Sequence, residues 1–185
     1  MEAKIQNSRW SFSLRAVVIG RNPRFTLARI FVLVLAVLLT YRFVLVPVRI
    51  QGPSMLPGYQ DHGINFVNRL AYRSQEPQRG DVVTIRYSGP SIMLMKRVVG
   101  LPGETIAFHA GRVVVNGSPL DEPYVKYPSD WELAPVIVDA GKYFVVGDNR
   151  SMPLIQHTFG ATERRRIVGK ILLCKNLFAS SPPPR

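Results

Sequence analysis

The sequence predicts an all-β domain of antiparallel sheets, either packed face to face or closed into a partly open barrel, behind a single N-terminal transmembrane helix. Three observations lead there. Residues 25–48 are predominantly apolar. Short β-branched runs then recur along the chain, each closed by Gly, Pro, Asn or Asp. No stretch of helical period separates those runs, which argues against a parallel sheet built from crossover helices.

In chain order, residues 1–24 are basic and polar, with Trp10 and Phe12 set among serines and arginines, and read as a tail on the cytosolic side. Residues 25–48 are long enough to cross a bilayer, which takes about 20 residues. Arg29 and Arg42 lie towards the ends, where an arginine snorkels to the headgroups and Tyr41 suits the same interface. Thr40, Tyr41 and Arg42 put bulky and charged groups where a small-x-small cleavage site would stand, so a retained anchor is expected. Basic residues concentrated ahead of the span place the N-terminus inside and the remainder across the membrane.

Strands are expected over 63–68, 81–87, 92–99, 105–109, 112–116, 142–146 and 166–173 within a domain of residues 49–176. Residues 118–141, with Pro119, Pro123, Pro128 and Pro135, read as a long excursion outside the core, and 177–185 as a proline-rich tail. Formal charge is +12, from 24 basic and 12 acidic residues. Much of the excess sits in the tail and the start of the span, and the only basic run elsewhere is Arg164, Arg165 and Arg166. Nucleic acid is therefore not an expected partner. A single cysteine, Cys174, excludes an intramolecular disulfide and a cysteine-cluster zinc site, and reads as a small buried hydrophobe of the last strand. His62, His109 and His157 lack ligand spacing, so no metal is expected.

The chemistry-bearing candidate follows the apolar segment: Gln51-Gly52-Pro53-Ser54-Met55-Leu56-Pro57. Proline on either side leaves the Ser54 backbone few conformations, so its hydroxyl points in a reproducible direction. A serine hydroxyl is a poor nucleophile until a neighbour accepts its proton. The histidines lie in turn-like context without an acid beside them. Lys96, in Met93-Leu94-Met95-Lys96-Arg97-Val98-Val99-Gly100, is the better base, because strand alternation groups it with Leu94 and Val98. Burial there lowers a lysine pKa by up to ~3–5 units when desolvation is complete. The alternative is a solvated strand lysine beside Arg97.

Four blocks in order, Gly-Pro-Ser-Met-Leu-Pro (52–57), Arg-Gly-Asp-Val-Val (79–83), Met-Lys-Arg-Val-Val-Gly-Leu-Pro-Gly-Glu (95–104) and Gly-Asp-Asn-Arg (147–150), resemble the bacterial type I signal peptidases. The resemblance implies a serine endopeptidase with Ser54 as nucleophile and Lys96 as general base. It implies an all-β catalytic fold and neither metal nor organic cofactor. Its implied substrates are the signal peptides of exported preproteins, cut at the outer face of the bacterial inner membrane, among membrane lipids and near the translocation machinery. Pockets reading small residues are expected to involve Ile50, Met55, Leu94 and Met95, and the backbone N–H of Ser54 to serve as oxyanion donor, since Gly52 offers no side chain. Asp148 and Arg150 are expected to brace the site, paired with each other or with neighbouring loops. One departure stands out. Where the family carries a serine and then an aspartate after Gly-Asp-Asn-Arg, this chain has Pro153 and Ile155. Either Ser151 or Thr158 supplies the missing hydroxyl, or Lys96 is less well oriented.

Overall fold

The computed structural model describes residues 23–88 and 92–172. Two units divide the chain near Thr40. The first contains helix α1, Pro23–Leu39. Proline suits a first helical turn, where its missing N–H would have had no partner, and the Leu/Ala/Val run sustains the rest. A π-helical turn, Thr40–Val44, follows, and the Thr40 hydroxyl donates to the Ala36 carbonyl at 2.8 Å. Together the helical residues Arg24–Val44 have a mean hydropathy of 2.1 over a span of 21 residues. At 1.5 Å per residue they reach about 30 Å, the thickness of a bilayer's hydrocarbon core.

The second unit is the β domain, made of β1 (Leu45–Arg49), β2 (Ile64–Asn68), β3 (Val82–Ser88), β4 (Ile92–Gly100), β5 (Thr105–His109), β6 (Arg112–Val115), β7 (Ser118–Pro119), β8 (Leu133–Ile137), β9 (Lys142–Val146), β10 (Gly160–Glu163) and β11 (Ile167–Ile171). They form a seven-stranded sheet in the order β1-β2-β11-β3-β4-β9-β10 and a four-stranded sheet in the order β7-β6-β5-β8. Every pairing is antiparallel. Neither sheet closes on itself, so the open alternative to a barrel is the one adopted.

Three buried clusters hold the domain. Val99, Ile106, Phe108, Val113, Trp131, Val138, Phe144 and Val146 form the largest and draw on both sheets. Ile50, Met55, Tyr59, Val67, Val82 and Ile171 pack near the start of the domain. Val83, Ile85, Val98, Tyr143, Val145 and Ile167 form the third. Gly100 makes one junction possible: a Cβ there would sit 2.6 Å from Ile106 Cγ1 and 2.8 Å from Phe144 Cβ.

Two expectations are corrected. Residues 45–48, grouped by hydropathy with the membrane segment, are strand: Leu45 to Arg49 pair with Asn68 to Ile64 of β2. Val46, Pro47 and Val48 suit an extended chain far better than a helix end, and β2 supplies the backbone partners. Residues 118–141 are not wholly outside the core. They contribute β7 and β8, and Trp131 and Val138 are buried within the largest cluster. Pro119 and Pro135 lie on the two edge strands of the four-stranded sheet and Pro123 and Pro128 in connections, where a missing donor costs little. Cys174, the basic tail to residue 22 and the proline-rich end lie outside the described residues.

Candidate active site

Beyond β1 the chain turns back into β2, and the base of this loop is closed by Ile50 N–H donating to Gly63 O at 2.8 Å and His62 N–H to Ile50 O at 3.0 Å. Asp61 Oδ1 accepts from the N–H of Gly52 and of His62, both at 2.8 Å. Gly52 has φ +96°, a conformation that side chains disfavour, which accounts for glycine there. Pro53–Met55 then form a single 3-10 turn. Met55 and Tyr59 anchor it in the core at 1% and 3% exposure, leaving Ser54 half-buried at the surface of the turn.

Lys96 lies in β4 opposite Val83 of β3 and is 3% exposed. Its Nζ donates to Ser54 Oγ at 2.8 Å. Burial pushes the amine down to about 8 from its ordinary 10.5, against the opposite pull of the Asp148 carboxylate. Near neutral pH a useful fraction is therefore unprotonated, the form that carries a lone pair. Ile50, Met55, Leu94 and Met95 line a cavity of about 50 Å³ beside Ser54, joined by Val48, Thr84 and Met93. A much larger cleft, bounded by Trp131, Met152 and Leu154, contains neither Ser54 nor Lys96. Its size does not make it the site of chemistry.

Asp148 and Arg150 do not pair with each other. Asp148 clasps Arg97, whose Nε and Nη2 donate to its two oxygens at 2.8 and 2.6 Å. Arg150, wholly buried, donates from Nε to Gly147 O at 2.9 Å and pairs with Glu122. Between them lies Asn149, which sequence reasoning left without a role. Its N–H donates to Ser54 O at 2.9 Å and its Nδ2 to Pro53 O at 3.0 Å. One residue thus fixes both carbonyls around the serine. The signal for it was the amide side chain inside Gly-Asp-Asn-Arg, which can donate and accept at once.

Neither candidate hydroxyl is found on Lys96. Ser151 Oγ donates to Asn149 Oδ1 at 2.7 Å, closing a local turn, and Thr158 is exposed. Ile155 is 95% exposed and braces nothing. What this segment buries is His157, edge-on to Trp131 with ring centroids 4.9 Å apart. Burial first, then the nearby Lys96 charge, lower it to about 4, so the ring is neutral wherever Lys96 titrates. His62 is largely solvent-exposed beside Asp61.

The chain matches the family model for signal peptidase, peptidase S26, over residues 24–175. It belongs to that signal peptidase family. The chain is 34% identical over 147 residues to signal peptidase I of Leptolyngbya laminosa, covering 73% of this chain and 72% of the relative. It is 36% identical over 143 residues to signal peptidase I V of Bacillus subtilis, covering 69% and 84%. A solved signal peptidase I from Enterococcus faecalis aligns at a TM-score of 0.43 and 27% identity, over 52% of this chain and 97% of that one. As a member of the signal peptidase family the chain is a serine endopeptidase, a hydrolase.

Proposed function

We propose that this peptidase removes signal peptides from exported preproteins with Ser54 as nucleophile and Lys96 as general base. The observation that carries the reading is the 2.8 Å contact between a buried lysine amine and a half-buried serine hydroxyl. The lone pair of neutral Lys96 takes the Ser54 proton as Oγ bonds to the scissile carbonyl carbon. The N–H of Ser54, in the opening turn of a 3-10 segment where backbone donors have no partner within the turn, receives the oxyanion. Lys96 returns the proton to the leaving nitrogen as the C–N bond breaks. Water then loses a proton to Lys96 and attacks the ester, and Ser54 recovers its proton as the acid departs.

The substrate adds as an extended strand. Among the described residues β4 pairs with β9 only from Arg97 onward and β1 pairs only with β2, which leaves edges at Met93–Met95 and along β1 beside the serine. The cavity of about 50 Å³ suits a small side chain. Helix α1 tethers the enzyme in the bacterial cytoplasmic membrane, N-terminus in the cytosol, with the β domain outside among lipids and near the translocation machinery. The basic residues ahead of the helix support that orientation.

A second reading keeps the chemistry and narrows the substrate to one dedicated precursor, such as a pilin or a conjugation factor. Pro153 and the solvent-facing Ile155 favour it, because the family's usual support after Gly-Asp-Asn-Arg is gone. Cleavage of a panel of preproteins by purified full-length protein, wild type beside Ser54→Ala, tests both. Loss of all cleavage in the variant is expected. Undiminished cleavage would overturn the role of Ser54, and a single processed precursor would select the narrow reading.

A further inference from the structure

Glu122 and Tyr124 follow β7 in the proline-rich excursion and lie far in sequence from Ser54 and Lys96, yet they meet the two arginines that flank the site. The Tyr124 ring covers the Arg97 guanidinium, whose Cζ stands 3.8 Å from the ring centroid. The Tyr124 hydroxyl donates to Glu122 Oε1 at 2.9 Å, and Glu122 Oε2 accepts from Arg150 Nη1 at 3.3 Å. Arg97 has its Nη1 on Gly80 O at 2.8 Å and its remaining fork on Asp148. Each nitrogen of the Arg97 guanidinium thereby carries a hydrogen bond, and its flat face is covered by an aromatic ring.

We propose that Tyr124, seated by Glu122, is a positioning residue for the base: it holds Arg97 against Asp148 and so keeps the Asp148 charge occupied rather than free to act on Lys96. This rests on the Ser54–Lys96 reading. The electrostatics give the sign. Asp148 favours the ammonium form of Lys96, in opposition to burial. Arg97 clasped on both Asp148 oxygens offsets that pull, and a guanidinium released to water offsets it less. Lys96 is faced by Asp148, the Ser54 hydroxyl and His157, which stays neutral. Arg97 is faced by Asp148, Tyr59 and Tyr124. Tyr124, faced by Glu122, Arg97 and Arg150, is pushed upward by burial and remains a phenol.

The test is the pH profile of kcat and KM for full-length Tyr124→Leu and Tyr124→Phe in detergent, with a signal-peptide substrate and a melting curve for each variant. Tyr124→Leu is expected to lower kcat about 10-fold near pH 7.5, to move the acid limb up by about one pH unit and to recover towards wild type on the alkaline plateau, with KM changed less than about twofold. Tyr124→Phe, which keeps the ring, is expected to hold the limb near its wild-type position. An equal loss at every pH, or an unmoved acid limb in folded Tyr124→Leu, would overturn the proposal. Should Tyr124→Leu not fold, Arg97→Lys, which keeps the charge but loses the fork, is expected to move the limb the same way, and an unmoved limb there overturns it. Since the wild-type limb and the Ser54→Ala control are read in the same assay, failure of the dyad itself registers separately.

Discussion

Ser54 Oγ and Lys96 Nζ stand 2.8 Å apart although 42 residues separate them in the chain. One comes from a 3-10 turn after β1 and the other from the interior of β4. With the amine at about 8, the proposed dyad predicts activity that rises with pH and levels off above that value, because protonation removes the lone pair that would accept the serine proton. Lys96→Arg is expected to be inactive across the whole pH range, since a guanidinium does not deprotonate. Initial rates of peptide cleavage from pH 6 to 10 check both, and a flat profile would point to a different base.

Lys96 burdens the fold it serves. Its pKa is about 8 folded against 10.5 unfolded, so between those values the unfolded chain binds more protons and stability rises with pH. Below pH 8 the full penalty applies, on the order of 3 kcal/mol at 1.36 kcal/mol per unit. Lys96→Met, of similar length and without charge, is expected to melt higher than wild type at pH 7, with the gain fading towards pH 10.5. Equal melting temperatures at both pH values would contradict the buried-amine account.

Gly147 carries a steric constraint rather than a conformational one. A Cβ there would lie 2.3 Å from Ser54 O and 2.6 Å from His157 Cε1. The first is backbone held by Asn149 and cannot yield without moving Ser54. Gly147→Ala is expected to cost about 1–3 kcal/mol in denaturant melts and at least 10-fold in kcat. Gly58→Ala, whose Cβ would meet Met55 O at an ordinary 3.8 Å, serves as the near-neutral comparison.

Much of this arrangement was legible because it is written locally. Alternation around Lys96 placed the lysine among apolar neighbours, and the structure buries it. Short β-branched runs marked most strands. β1 was hidden because Leu45 to Val48 are as apolar as the helix they follow, and hydropathy does not tell a strand from a span end. β8 and β10 were hidden by brevity and by Pro135. The partners of Asp148 and Arg150 were beyond reach for another reason. Arg97, Glu122 and Tyr124 come from segments that approach only once both sheets have formed, and a charge pattern does not say which acid a buried arginine will choose. The same holds for His157: isolated in sequence, it becomes a packed ring only against Trp131 and Gly147.

The sheet order has a bearing on when the protein can first act. Among the described residues β11 is the last strand in chain order, yet it lies between β2 and β3, joining the portion that carries Ser54 to the portion that carries Lys96. A nascent chain halted before Ile167 holds Ser54 and Lys96 but lacks the strand that links their parts of the sheet. The strand nearest the end of the described residues is therefore the one that completes the sheet, so the approach of Ser54 to Lys96 is expected to be secured only once β11 has paired.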